Sequence, residues 1–187
     1  MTPRKAGPMQ TIPTTEDLAR FCEAAKAESY VTLDTEFLRE RTYYSRLCLI
    51  QMALPGKNGA AVLVDPLGDG FSMEPLYDLF RHEGTVKVFH AARQDLEIFF
   101  VEGNVFPTPL FDTQIAAMVC GFGEQVGYET LVRKIARESL DKTSRFTDWS
   151  RRPLSEAQKA YALADVTHLR VIYEFLSSEL KKTGREP

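Results

Sequence analysis

The chain has 187 residues, a length that fits one domain and argues against two full ones, because a single hydrophobic core commonly serves about 100–200 residues. Hydrophobic residues make up 44% and charged residues 26%, close to ordinary soluble proteins, which argues against disorder, collagen-like repeats and coiled coil. The net charge of −3 gives no global attraction to nucleic acid, so any site for a polyanion must be local, built from clustered Arg and Lys or from metal ions held by carboxylates.

Residues 1–14 carry Pro3, Pro8 and Pro13 and no apolar periodicity, and are expected to form a loose N-terminal arm outside the fold. They also lack the apolar stretch of a secretory signal. No run anywhere reaches the about 20 apolar residues that cross a bilayer, so the expected location is cytoplasmic. Thr15, Glu16 and Asp17 supply N-capping chemistry and an acidic first turn, and Leu18, Phe21, Cys22 and Ala25 follow at helical spacing to about Ala27. From Tyr30 to Phe37 the period changes to two, which predicts a strand with Thr32, Asp34 and Glu36 on one face. A second strand is expected within Tyr43 to Leu54 and a third over Ala60 to Asp65, joined by the turn-forming Pro55-Gly56-Lys57-Asn58-Gly59.

Three sequential strands on short links predict an antiparallel meander. Beyond it come a helix over Glu74 to Arg81, a strand over Val86 to His90 and a helix over Ala92 to Phe100. After Pro109 the pattern is helical, with segments near Thr113 to Cys120, Tyr128 to Arg137 and Ser155 to Leu180, and no further strand is expected. Ser155 and Gln158 form a capping-box pattern at the start of the last helix. The sum is an α/β architecture, a mixed β-sheet of antiparallel meander plus parallel strands flanked by helices. Cys22, Cys48 and Cys120 are odd in number and show no CxxC pairing, which argues against a disulfide framework and against zinc.

Period two places Asp34 and Glu36 on one strand face, about 7 Å apart along the strand, where they repel unless a cation lies between them. All-oxygen ligands of this kind suit Mg²⁺ or Mn²⁺. Taken alone, the pair is also what a solvated polar strand face looks like. On the last helix Tyr161 and Asp165 stand one turn apart on one face, and Ala157, Ala160, Leu163, Ala164, Leu169 and Ile172 make the helix apolar enough to pack on a sheet. That packing brings Asp165 inward, either toward a partner in a site or to a hydrogen bond with a core tyrosine. Asp95 falls in the first turns of a helix, where Asp is common on electrostatic grounds alone.

Together these residues occur in the order and local contexts of a known family. Asp34-Thr-Glu-Phe37 resembles the first motif of the DEDD exonucleases, His90 to Asp95 the second, and Tyr161-Ala-Leu-Ala-Asp165 the Tyr-x-x-x-Asp form of the third. The intervening segments Leu49-Ile50-Gln51, Phe111-Asp112-Thr113, Asp148-Trp149 and Arg152-Pro153-Leu154 are similar to the ribonuclease D branch. The resemblance implies a ribonuclease-H-like fold and metal-dependent 3′–5′ removal of nucleotides from RNA, such as tRNA precursors or other small structured RNAs, to give nucleoside 5′-monophosphates. The implied partner is RNA with a free 3′ end, with no membrane and no small-molecule cofactor.

By the same resemblance Asp34 would bridge two divalent ions, Mg²⁺ or Mn²⁺. Glu36 and Asp165 would complete the first ion's shell, Asp95 would support the second, and Tyr161 would orient the attacking water. In two-metal phosphoryl chemistry the ions sit about 3.5–4 Å apart, activate the water and stabilise the departing oxygen, so the protein need only place carboxylates. Arg39, Arg41 and Arg46, and Lys142, Arg145, Arg151 and Arg152, are candidates for phosphate contact, with Phe146 and Trp149 between them able to stack on a base. Each is also readable as surface charge or, for Trp149, as core. His90 is expected to be structural. The family's helical C-terminal RNA-binding domains are absent from residues 15–187, which are expected to form the exonuclease domain. Two other readings remain, a DNA 3′–5′ exonuclease of the proofreading kind and a non-catalytic RNA-binding module.

Overall fold

The strand predicted from Tyr30 is the centre of the sheet, and every other element is arranged about it. A computed structural model describes residues 10–39, 43–141, 143–144 and 147–186. Six strands run β1 (Gln10–Ile12), β2 (Tyr30–Leu38), β3 (Arg46–Ala53), β4 (Ala61–Val64), β5 (Val86–Phe89) and β6 (Leu110–Asp112). The helices are α1 (Thr15–Lys26), α2 (Glu74–Arg81), α3 (Arg93–Gly103), α4 (Thr113–Val119), α5 (Tyr128–Leu131), which runs on into a π-helical turn over Val132–Ala136, and α6 (Glu156–Thr183).

The sheet order is β1-β4-β3-β2-β5-β6. Strands β2, β3 and β4 pair antiparallel, as the short links predict, while β5 and β6 add parallel on one side and β1 adds parallel to β4 on the other. Helices α1, α2 and α3 cover one face, where Val31, Leu33, Ile50, Met52 and Phe89 meet Leu18, Phe80 and Phe99 in the main core. The other face carries Thr32, Asp34 and Glu36 and is crossed by α6, which packs on β2, β3, β4 and β5. There Leu49 and Leu63 meet Trp149, Leu154 and Ala162, and further along α6 Ile172, Leu176 and Leu180 pack against α4 and the π-helical turn.

Both capping-box bonds form at the start of α6, from the Gln158 N–H to Ser155 Oγ at 3.2 Å and from the Ser155 N–H to Gln158 Oε1 at 3.0 Å. Its far end stops at Gly184, whose φ of +63° suits a residue without a Cβ.

Four expectations need correction. Residues 10–12, placed in the loose arm, form β1, and Ile12 is 2% exposed. A strand does follow Pro109: β6 is held by its ladder to β5, and three residues are too few to display a period of two. The helix expected over Tyr128 to Arg137 changes to π geometry at Val132. Strand β3 falls inside its expected run, starting at Arg46 with Tyr43 and Tyr44 exposed ahead of it, whereas the start of α1 differs from expectation. The cap of α1 is Thr14, whose Oγ1 accepts the Asp17 N–H at 3.2 Å. Among the described residues no helix is long and apolar enough to cross a membrane, and Cys22, Cys48 and Cys120 are free thiols.

Candidate active site

Asp34 and Glu36 stand on the face of β2 that α6 covers, and Asp34 lies directly across from Gln51 of β3. Helix α6 lays Tyr161 and Asp165 over them. Asp34, Tyr161 and Asp165 line one cleft of about 300 Å³, whose walls also include His90, Tyr128 and Glu129. The helix is held at this depth by hydrogen bonds along its length. Thr32 Oγ1 donates to the Val166 carbonyl at 2.9 Å, the Tyr128 hydroxyl donates to the Asp165 carbonyl, and the Arg170 guanidinium donates to the carbonyls of Gly56 and Gly59 at 2.8 and 3.1 Å.

Asp95 reaches the site from the opposite face of the sheet. It lies in the first turn of α3, is 6% exposed, and its carboxylate accepts a hydrogen bond from Thr35 Oγ1. The turn that delivers it is built on Asp112, whose carboxylate accepts the Ala91 and Ala92 N–H groups at 2.9 Å each and also caps α4 through the Gln114 N–H at 2.8 Å. This grip holds Ala91 at φ +56°, a left-handed conformation uncommon for a residue with a Cβ. His90 Nδ1 lies 2.9 Å from Thr113 Oγ1, and that hydroxyl donates to the Phe89 carbonyl at 3.0 Å. Nδ1 must therefore carry the proton. Burial lowers the imidazole's pKa, so His90 is a neutral wall of the cleft.

The electrostatics tie the carboxylates together. Burial, then the charges of Asp165, Asp95 and Glu36 in that order, hold the Asp34 carboxyl well above the usual carboxylate range. Burial pushes Asp95 up to about 6, against the opposing hydrogen bond from Thr35. The same surroundings raise the Tyr128 phenol, first by burial and then by the charges of Asp165 and Asp34. Among the described residues, no three His, Cys, Asp or Glu side chains stand closely enough to form a ready-made metal-holding cluster. An all-oxygen donor set under the mutual repulsion felt at Asp34 fits a hard divalent ion better than zinc.

The candidate nucleic-acid contacts fare differently. Trp149 is 3% exposed and lies in the apolar cluster under α6 with its ring centroid 6.1 Å from that of Tyr161, so it is core and cannot stack on a base. Arg152 is not a free phosphate ligand. Its Nε and Nη2 grip the Asp65 carboxylate at 2.6 and 2.8 Å, Nη2 also donates to the Cys48 carbonyl, and Nη1 donates to the Trp149 carbonyl. Arg39, Arg46 and Arg151 are exposed, whereas Arg41, Lys142, Arg145 and Phe146 lie outside the described residues. Site-building residues to which the sequence reading gave no role in the site are Thr32, Thr35, Asp112 and Tyr128. Only Asp112 carried a local signal, an Asp one residue before a helix.

A family model for a 3′–5′ exonuclease matches residues 9–181. Ribonuclease D of Jannaschia sp. is 70% identical over 176 residues, covering 94% of this chain and 46% of that relative, and ribonuclease D of Nitrobacter hamburgensis is 51% identical over 177 residues, covering 95% and 46%. The crystal structure of Escherichia coli RNase D, described as an exoribonuclease involved in structured RNA processing, matches with a TM-score of 0.90 at 40% identity, over 97% of this chain and 47% of that one. The chain thus spans about half the length of the curated relatives it matches. With the sheet and a match over nearly all of its residues in agreement, the chain belongs to the 3′–5′ exonuclease family and is similar to part of ribonuclease D.

Proposed function

We propose that this chain is a 3′–5′ exoribonuclease that removes nucleotides from RNA 3′ ends as nucleoside 5′-monophosphates, using two divalent ions, Mg²⁺ or Mn²⁺. The observation that carries the reading is the convergence on Asp34: Asp165 shares its cleft, and Asp95 and Glu36 act on its charge from α3 and from the next position on the same face. In this reading Asp34 is shared between the ions, Glu36 and Asp165 serve one and Asp95 the other. Bound ions would supply charge neutralisation at the scissile phosphate and a water acidic enough to attack at neutral pH.

The chain's own residues then have separable tasks. Tyr161, on the cleft wall one turn from Asp165, positions the attacking water through its hydroxyl. Thr35 holds the Asp95 carboxylate in one orientation, and Tyr128 anchors the α6 backbone at Asp165, so neither ligand has to be ordered when substrate arrives. Neutral His90 and the Tyr128 ring wall the cleft without adding positive charge that would compete with the ions. Support for RNA over DNA comes from relatives named ribonuclease D. Residues 15–187 with β1 would be the exonuclease unit, and three free thiols accord with a cytoplasmic, reducing setting.

The test is digestion of a 5′-labelled single-stranded RNA and its DNA counterpart with Mg²⁺, Mn²⁺ or EDTA, resolved at single nucleotides. A metal-dependent ladder shrinking from the 3′ end of RNA is expected, and it should vanish in Asp34→Asn. A ladder on DNA alone would point to the proofreading type. Binding without cleavage in every lane would leave an RNA-binding module, and undiminished cleavage by Asp34→Asn would remove the assigned metal site.

A further inference from the structure

Gln51 is completely buried at 0% exposure, and neither its amide nitrogen nor its amide oxygen has a hydrogen-bond partner. Leaving a buried polar group unsatisfied costs about 1–3 kcal/mol, so such a group calls for a cause. Its surroundings narrow the cause. On β4 the residue directly across is Leu63, and α6 closes over this part of the sheet with Ala162, Asp165 and Val166 on its buried side. On β2 the residue directly across is Asp34. Directly paired residues point to the same face with Cβ atoms about 4.5–5.5 Å apart, within reach of a side chain as long as Gln.

We infer that Gln51 is a positioning residue for Asp34: when the site is charged with metal, its amide nitrogen donates to the Asp34 carboxylate and fixes the orientation in which that carboxylate is shared. The inference rests on the metal-site reading above. A neutral amide suits the task, because it adds a donor beside a carboxylate already crowded by Asp165, Asp95 and Glu36 without introducing a cation that would displace the ions. The unpaired amide is then a cost retained for the contact with Asp34, and hydrogen bonds from such outer partners are what orient metal ligands.

The experiment measures Mn²⁺ affinity by electron paramagnetic resonance titration, and thermal stability in EDTA, for the parent, Gln51→Met and Gln51→Asn. Met keeps the unbranched shape without polar atoms, and Asn keeps the amide one methylene shorter. Gln51→Met should weaken Mn²⁺ binding about 10–100-fold while its melting temperature in EDTA stays the same or rises, and Gln51→Asn should fall between it and the parent. Should Gln51→Met fail to fold, the Asn variant carries the comparison. Parent-like affinity in the variants overturns the inference, and lower stability in EDTA with unchanged affinity assigns Gln51 to the framework instead. A parent protein that binds no Mn²⁺ overturns the metal site itself, an outcome distinct from a parent that binds and variants that bind equally well.

Discussion

Arg152 shows how the same guanidinium can be read as a ligand for RNA or as a bolt in the protein. Its fork closes on Asp65 with side-chain exposures of 28% and 22%, and its remaining donors reach backbone carbonyls of Cys48 and Trp149. Burial works against the Asp65 charge, yet the Arg152 hydrogen bonds prevail and its pKa is lowered. Arg152→Ala is expected to destabilise the protein by about 1.5–3 kcal/mol in urea denaturation, the range for hydrogen bonds to charged groups, and Arg152→Lys should recover little because a point charge cannot replace a fork. Loss of RNA affinity at unchanged stability would contradict this.

Asp95 makes a pH prediction at the same scale. Its folded pKa of about 6 lies above the unfolded value of 3.8, so the folded state holds the proton more tightly. The resulting stability is fully present below about pH 4 and is lost as pH rises through 6. In EDTA, the stability of the parent relative to Asp95→Asn should therefore fall by about 2 kcal/mol between pH 4 and pH 7, because Asn does not titrate. A flat difference across that range would show that Asp95 is not desolvated as its burial implies.

At the scale of elements, the site depends on where helices start. Asp112 supplies three amide bonds to two helix beginnings, with Oδ1 accepting from Ala91 and Gln114 and Oδ2 from Ala92. Asp112→Ala should cost roughly 3 kcal/mol in chemical denaturation, whereas Asp112→Asn keeps an acceptor at the Oδ1 position and should cost about 1 kcal/mol. Equal losses would mean that the carboxylate charge, not the geometry of its bonds, sets the turn.

Elements with enough residues to show a period were legible before the structure: β2, α1, α2 and α6 with its capping box. Those that a neighbour rather than a pattern creates were not. Both β1 and β6 are three residues long and exist because β4 and β5 offer unpaired edges. The same division runs through the site. Asp34, Glu36 and Tyr161 with Asp165 share faces that spacing alone predicts, but Thr35 beneath Asp95 and Tyr128 beneath Asp165 are contacts across 60 and 37 positions of chain, which no local window contains. Arg152 was open to two readings for the same reason, since composition does not reveal that a basic residue has found its acceptor in Asp65, 87 positions away.

For the molecule as a whole, an acidic chain turns the charges of Asp165, Asp95 and Glu36 on one buried carboxyl, that of Asp34, and this repulsion is a folding cost. Burial and three like charges act together on Asp34. Asp34→Asn removes one charge from the group and should raise stability in EDTA by about 1–2 kcal/mol, which for a domain of this size is about 2–8 °C in Tm. Metal reverses the comparison. An ion at a hundred times its Kd stabilises the folded parent by about 2.7 kcal/mol through mass action, because the unfolded chain offers no assembled site. Melting curves in EDTA and in saturating Mn²⁺ should therefore cross, with Asn above the parent without metal and below it with metal. Curves that keep one order in both conditions would separate the repulsion on Asp34 from metal binding and count against the proposed metal site.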